Sequence, residues 1–455
     1  MSDLPPDWTT GTLGEIGIAS TNTVNPSRFP TEDFDLFSVP AFARGEPDVV
    51  IGAKIGSTKQ LVEAGDVLLC KIVPHINRVW VVPDRRNRRQ IASSEWIVIR
   101  NRIIDPEYMR YCLSGPDFRE IFLQNLSGIG GSLTRARPQA VKRISVPIAP
   151  RGAQRGIVAM LDELLGRSRQ AQEELEHIPK LVNWYKQAIL ASAFRGELTT
   201  DWRYIHPDAT GVVKTSKPSP STRRKRCVSE ESSDSFEPPF DIPPKWQWLC
   251  LPDLGDLDRG RSRHRPRNHP SLYGGPYPFV QTGDVKAAEG YLNTYTQTYS
   301  EAGLAQSRLW PAGTLCITIA ANIAETAILG IDACFPDSVV GFTADRSRCD
   351  PRFVEFFVRT VRADLAEFAP ATAQKNINLE TLRTVHVPCP PLAEQIEIVD
   401  RINRAFLSID QVKKDAARAG DLLQQLDRAI LAKAFRGELR LPALDAGIQG
   451  QAAAE

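Results

Sequence analysis

The stretch AILASAFRGEL at Ala188–Leu198 returns as AILAKAFRGEL at Ala429–Leu439, with Ser192 against Lys433 as its single difference. The copies lie 241 positions apart in a chain of 455 residues. The same offset holds upstream without a gap: Val146-Pro147 maps onto Val387-Pro388, Pro150 onto Pro391, Gln154 onto Gln395, and Ile157-Val158 onto Ile398-Val399. Even the helix breakers coincide, Pro179 on Gly420. Near the start of each half, Pro5-Pro6-x-Trp8 returns as Pro243-Pro244-x-Trp246, followed by Leu13, Ile16 and Gly17 against Leu251, Leu254 and Gly255, now at an offset of 238. One unit of about 240 residues is written twice.

A chain this long predicts two to four domains, each able to bury a core. Apolar content of 42% and charged content of 24% are those of an ordinary globular protein. No uncharged apolar run reaches membrane-spanning length and no signal peptide opens the chain, so a cytosolic protein is expected. The eight cysteines form no C-x-x-C pair and no zinc spacing, which predicts scattered reduced thiols. A net charge of +2 neither demands nor forbids a polyanionic partner.

Each unit has two parts. Residues 1–150 and 241–390 are mixed, with strand-like runs at Val79–Val82, Trp96–Ile99 and Leu315–Ile319 broken by Gly, Pro and Asn. Each holds a short helix after a shared Asp-Pro (Asp105-Pro106 and Asp350-Pro351), because Pro suits the first helical position. Tyr108 and Tyr111, aligned with Phe353 and Phe356, are spaced to share one helix face and are read as core contacts. Residues 151–200 and 391–440 are helical. Ile157, Leu161, Leu164, Leu175, Ile178, Leu181, Val182, Ile189 and Phe194 in the first answer Ile398, Ile402, Phe406, Ile409, Val412, Leu422, Leu423, Leu426, Ile430 and Phe435 in the second, at spacings of three and four. Gly196 and Gly437 fall where a helix C-cap belongs. Residues 201–240, with Lys217–Ser221, the basic Arg223–Arg226 and the acidic Glu230–Asp234, are expected to be a flexible linker, and 441–455 a tail.

Two amphipathic helices in one chain can bury their stripes on each other. The fold class expected is α+β: two mixed domains joined by two long helices in an antiparallel coiled coil, related by a pseudo-twofold axis like a covalently joined homodimer. Forty-odd residues at about 1.5 Å each make a rod of roughly 60 Å if Pro179 and Gly420 only kink it. The near-identical helix ends, Phe194, Gly196, Glu197 and Leu198 against Phe435, Gly437, Glu438 and Leu439, would present one docking surface twice, to two copies of a partner.

The run Pro390-Pro391-Leu392-Ala393-Glu394-Gln395 with Ile398-Val399, leading into a long helix that ends Ala434–Leu439, resembles the specificity subunit of type I restriction-modification systems. The first copy, Ala149–Gln154, lacks the Pro-Pro-Leu start and the Glu before Gln, while its Ala193–Leu198 is intact. The resemblance spans essentially the whole chain. It implies two target recognition domains, each reading one half of a split, asymmetric sequence in double-stranded DNA. The helices would measure the unread spacer and dock two methyltransferase subunits, with motor-nuclease subunits joining for restriction. Such a chain is non-catalytic and holds no cofactor, S-adenosylmethionine being expected on the methyltransferase. A rod of roughly 60 Å suits readers one to two duplex turns apart, at about 34 Å per turn.

A search for catalytic residues agrees with that expectation. Glu237-Pro238-Pro239-Phe240 has the wrong first residue for an adenine methyltransferase motif, and Gly52–Ser57 lacks the Gly-Lys pair of a phosphate loop. Pro83-Asp84 with Glu95-Trp96-Ile97 lacks the lysine of a nuclease motif, and the six histidines show no metal spacing, His177 and His386 reading as scaffold. No catalytic residue and no metal ligand is assigned.

Guanine is commonly read by Arg and adenine by Asn or Gln, with phosphates held by Arg or Lys nearby. In the first domain Arg85, Arg86, Arg88 and Arg89 form the densest basic cluster, with Lys71, His75, Asn77 and Arg78 upstream. In the second, Arg259, Arg261, Arg263, Arg265 and Arg267 stand at alternate positions. Before the long helices, Arg135 and Arg137 align with Asn376 and Asn378, beside Lys375, in a stretch that the resemblance places near DNA. Solvated basic loops would look the same. Tyr291, Tyr295 and Tyr299 are read as structural surface. A coiled-coil scaffold whose end domains bind protein or RNA is the alternative reading, and a duplicated methyltransferase or nuclease the enzymatic one.

Overall fold

The computed structural model describes residues 4–18, 22–84, 87–124, 126–127, 134–207, 236–263, 266–288, 290–320, 322–362 and 377–439. Two long helices dominate, Arg151–Phe194 and Leu392–Phe435, each of 44 residues. Both run unbroken through the expected breakers Pro179 and Gly420. The chain divides into two compact units: Met1–His177 together with the stretch from Asp415 onward, and Ile178–Lys414. The expected make-up of two mixed domains and two long helices is borne out.

In each unit the strand after the Pro-Pro-x-Trp motif pairs antiparallel with the strand that leads into a long helix. Thr9–Thr12 pairs with Ser145–Ile148, and Gln247–Cys250 with His386–Cys389. The recurring Val-Pro dipeptides sit in these closing strands. The Asp-Pro helices form as the sequence predicts: Asp105 caps Pro106–Ser114 by accepting from Glu107 N and Tyr108 N, and Asp350 caps Pro351–Thr360 by accepting from Arg352 N. Tyr108, Tyr111, Phe353 and Phe356 are buried, as expected.

The glutamine shared by the copies has a physical cause. Gln154 Oε1 accepts from Asp105 N at 2.8 Å while its Nε2 donates to the Ala149 carbonyl. Gln395 does the same with Asp350 N at 3.0 Å and the Pro390 carbonyl. Both side chains are buried. One amide thus ties the start of each long helix to the start of the Asp-Pro helix, satisfying groups that would otherwise be buried unpaired.

The helix ends are Schellman caps. Glu197 N donates to Ser192 O and Gly196 N to Ala193 O; Glu438 N donates to Lys433 O and Gly437 N to Ala434 O. Gly196 and Gly437 take φ of +78° and +72°, and a Cβ on them would lie 2.4 Å from Pro243 Cγ and 2.2 Å from Pro5 Cγ respectively. The Pro-Pro motif of each unit therefore seats on a glycine cap, and two of the repeated motifs turn out to be one contact.

The cores show how the copies are shared out. In the first unit, Leu13, Ile99, Tyr108, Val146, Ile157 and Leu161 pack with Ala434 and Phe435, and the Tyr108 and Phe435 rings meet at 5.1 Å. Ile157 lies with Phe435 in this core, and Gly420 sits beside Gln172, so the two helix segments run antiparallel. In the second unit, Leu190, Ala193 and Phe194 pack with Phe353, Phe357 and Ile398, with Phe194 at 5.2 Å from both phenylalanines. There Lys186 pairs with Asp410 at 2.6 Å and Arg401 donates to the Leu198 carbonyl at 2.8 Å, again antiparallel. Each mixed domain is completed by the end of the helix belonging to the other copy.

Three expectations change. The stretch 201–240 does not begin as a linker: Thr200–Ile205 is helical, held by Arg203 on Glu394 and by Arg401 on Asp201, whose carboxyl that arginine holds below its ordinary value. The Pro-Ser, basic and acidic runs at 217–234 and the tail lie outside the described residues. Among the described residues six cysteines are free and buried, but Cys250 is disulfide-bonded, against the expectation of reduced thiols throughout. Tyr299 is core, stacked on Phe279 at 3.9 Å, while Tyr291 and Tyr295 are exposed. Among the described residues no helix is long and apolar enough to cross a membrane.

Candidate nucleic-acid interface

In the first unit a three-stranded antiparallel sheet places Val67–Cys70 between Val79–Val81 and Trp96–Ile99. At one end of this sheet four backbone bonds gather the chain into a rim. Cys70 N donates to Arg78 O, Lys71 N to Glu95 O, Ala136 N to Lys71 O and Val73 N to Thr134 O, at 2.7 to 3.1 Å. Lys71, Arg78 and Arg135, three of the expected DNA-contact residues, are thereby brought together. Arg135 is 60% exposed, and its guanidinium lies 3.6 Å from the Glu95 carboxylate. Below the rim the Cys70 thiol is pushed up by burial and is no nucleophile.

The other expected contacts of this domain fare differently. Asn77 sits in the same loop, but one N–H of its Nδ2 donates to Ser114 O at 3.0 Å, which ties its amide to the fold. Arg89 opens the strand Arg89–Ala92 of a separate five-stranded sheet, and Arg88 precedes it. Arg88 lies 3.6 Å from the buried Asp35, and Arg89 pairs with Glu32 and stacks on Phe29 at 4.0 Å. Arg89 is thus held by side chains of its own domain. Arg137 is exposed at the N-cap of Pro138–Val141 with no capping bond of its own. Arg85 and Arg86 lie outside the described residues.

The second unit repeats the rim on a five-stranded sheet in which Leu315–Thr318 lies between Val339–Ala344 and Thr326–Leu329, with Gly255–Arg259 beyond. Thr318 N donates to Glu325 O, Ile319 N to Ser338 O and Ile377 N to Ile319 O, at 2.9 to 3.0 Å. Gly255–Arg259 ends at the same sheet edge, so part of the arginine array joins this rim. Arg259 donates to the Asp337 carbonyl, Arg267 makes a two-pronged pair with the Asp337 carboxylate at 2.9 and 2.7 Å, and Arg261 lies 3.7 Å from Asp258. Arg263 is exposed; Arg265, Lys375 and Asn376 lie outside the described residues. Asn378 is corrected as a reader: its Oδ1 caps the helix Leu379–Arg383 by accepting from Thr381 N at 2.7 Å. Glu95, Ser338 and Asp337 carried no distinguishing sequence signal as rim residues.

The helix ends also need correction. Phe194 and Phe435 are only 2% and 7% exposed and lie in the cores of their units, so neither side chain offers a docking surface. Gly196 and Gly437 are caps, and Leu198 and Leu439 pack against the same cores. Of the eight docking candidates, only Glu197 and Glu438 are exposed. Exposed apolar side chains of the helices lie elsewhere: Leu181, Trp184 and Tyr185, with Ile396, Leu407 and Val412, in the second unit, and Leu422 and Leu426 in the first, Leu181 and Tyr185 matching Leu422 and Leu426 at the repeat offset. Among the described residues no group of three or more His, Cys, Asp or Glu is placed to hold a metal ion.

Residues 243–416 match the family model of the type I restriction modification DNA specificity domain. That stretch carries a type I restriction-modification DNA specificity domain. The family resemblance read from Pro390–Gln395 and the AFRGEL ends is borne out. The chain is similar to the specificity subunit of the type I restriction enzyme EcoDI from Escherichia coli, 26% identical over 443 residues that cover 96% of this chain and 89% of that protein. Its fold matches a chain from a structural study of complex assembly and conformational transition in a type I R-M system, with TM-score 0.73 and 22% identity over 96% of this chain and all of that one. It also matches the HsdS subunit from Thermoanaerobacter tengcongensis, with TM-score 0.61 and 22% identity over 96% of this chain and 98% of that one. At such identities the solved structures speak for the fold of the specificity domain and its helices.

Proposed function

We propose that this chain is the DNA-specificity subunit of a type I restriction-modification complex and performs no chemistry itself. Each mixed domain reads one half of a split, asymmetric target in double-stranded DNA. The two long helices carry two methyltransferase subunits, which bring S-adenosylmethionine, and motor-nuclease subunits join that assembly for restriction. One observation carries the reading: three backbone bonds of the rim recur in the two domains, Cys70–Arg78, Lys71–Glu95 and Ala136–Lys71 against Thr318–Glu325, Ile319–Ser338 and Ile377–Ile319, yet different side chains furnish it. A shared frame with unlike contacts is what two readers of unlike half-sites require. Lys71, Arg78, Arg135 and Arg137 serve the first half-site and Arg259, Arg261, Arg263 and Arg267 the second. The exposed Leu181–Trp184–Tyr185 and Leu422–Leu426 stripes, rather than the buried phenylalanines, are the methyltransferase contacts, since apolar side chains at spacings of three and four suit a partner helix.

The test is modified-base sequencing of DNA from cells that co-express this chain with its methyltransferase. A methylated split motif with an unread spacer, absent when the chain is omitted, is expected. Co-purification of the two proteins with no motif and no DNA binding would favour the scaffold reading instead.

A further inference from the structure

Among the described residues, two that are not glycine take positive φ: Val73 at 45° and Ala324 at 55°. Both lie in the hairpin loops of the two rims, 71–78 and 319–325. A β-branched residue before proline, as Val73 is before Pro74, is strongly disfavoured in that conformation. It persists because the loop is pinned on several sides: Val73 N on Thr134 O, Ile76 N on Val73 O, the Arg119 guanidinium on Pro74 O and Asn77 on Ser114 O. Ala324 is pinned by its own N–H on Thr318 O, and Glu325 N donates to Thr318 Oγ1. Strain over-determined in this way holds a loop to one shape and marks functional sites.

Strand register then fixes which positions correspond. Cys70 pairs with Trp96 as Thr318 pairs with Val339, and Leu69 with Val79 as Ile317 with Thr326. Lys71 is therefore matched by Ile319, Arg78 by Glu325 and Glu95 by Ser338. All three pairs differ in charge while the backbone bonds between them are kept.

Resting on the specificity reading above, we propose that Arg135 reads a guanine in the first half-site, with Glu95 as its positioning residue. Arg135 is seated on the rim by its backbone bridge to Ile72, so its side chain starts from a fixed point. Its guanidinium is exposed and stands 3.6 Å from Glu95. That neighbour separates base reading from phosphate binding. A carboxylate beside an arginine repels a second anion but orients the fork of donors toward a neutral acceptor pair, which guanine O6 and N7 supply. The second domain has Ser338 in place of Glu95 and, at the repeat offset, Asn376 in place of Arg135 in its sequence, so it is expected to read a different base.

The experiment is the same methylated-motif sequencing in cells, applied to wild type, Arg135→Ala and Glu95→Gln, with co-purification of the methyltransferase as the assembly control. Arg135→Ala should lose preference at one guanine of the first half, by about ten- to a hundredfold against the other bases, and leave the second half unchanged. Glu95→Gln should weaken preference at that same position alone. An unchanged motif, or a uniform fall in methylation with both halves intact, as a phosphate contact would give, overturns the proposal. If the wild-type chain itself yields no split motif, the specificity reading fails before this inference is reached.

Discussion

The indole N–H of Trp246 donates to Glu394 Oε2 at 3.0 Å, while Thr199 Oγ1 and Arg203 Nη1 meet Oε1 of the same carboxylate at 2.8 and 2.6 Å. Glu394 is fully buried. This one carboxylate joins the Pro-Pro-x-Trp motif, the start of the second long helix and the short helix after the first. At the repeat offset the first copy has Ala153, so Trp8 has no such acceptor from that position. Glu394→Ala would leave the indole and the guanidinium facing each other without their shared acceptor, at a cost of about 2–4 kcal/mol. Denaturant unfolding should show the loss; an unchanged midpoint would mean that water replaces the carboxylate fully.

The buried helix ends make a second prediction. Phe194→Ala and Phe435→Ala should each destabilise their own unit by about 3–5 kcal/mol, because each leaves a cavity in a packed core. Thermal unfolding of the purified chain reads this directly. Loss of methyltransferase binding at unaltered stability would return these phenylalanines to the docking role expected from sequence.

Docking itself should follow the exposed stripes. Replacing Trp184 and Tyr185 with Ala removes large exposed apolar surface and should weaken capture of one methyltransferase copy by at least tenfold, with unfolding nearly unchanged. Replacing Leu422 and Leu426 should do the same for the other copy. Stoichiometry measured by light scattering or native mass spectrometry distinguishes the two losses; full 2:1 assembly from both variants would place the contact elsewhere.

A fourth prediction concerns pH. Glu355 is buried against Thr326, Arg352 and Arg359; burial pushes its carboxyl above the ordinary 4.5, outweighing the pull of the arginines. A carboxyl whose pKa is raised by folding contributes stability that is complete below its unfolded pKa and is lost as pH rises through the folded one. The stability of wild type relative to Glu355→Gln should therefore fall between pH 4.5 and neutrality. A difference that stays constant across that range would contradict the assignment.

Much of this architecture was legible because it is local. Asp105 and Asp350 before proline, the glycines of AFRGEL and the three-and-four spacing of the long helices each act within a few residues, so their physics is written in the adjacent sequence. The fate of Phe194 and Phe435 was not, because an apolar residue at a helix end reads alike whether it meets a partner or a distant part of its own chain. Phe435 meets Tyr108, more than three hundred positions away. The rims were hidden for another reason. Lys71 corresponds to Ile319 and Glu95 to Ser338 at offsets unlike the 241 of the helices, since loops of different length intervene, and strands of three or four residues leave little periodicity. Only hydrogen-bond register reveals the match. Arg89 is another such case, because a basic run gives no sign in sequence that Glu32 will pair with one of its cations.

The sharing of helix ends sets an order on how the protein is made. The second unit is one continuous stretch, Ile178–Lys414, whereas the first needs residues from Asp415 onward to complete the core around Tyr108. On the ribosome, the half that emerges first must wait for the last helix turns to be synthesised before its interior can close. A chain that stopped before Ala434 and Phe435 would therefore damage the domain nearest its beginning.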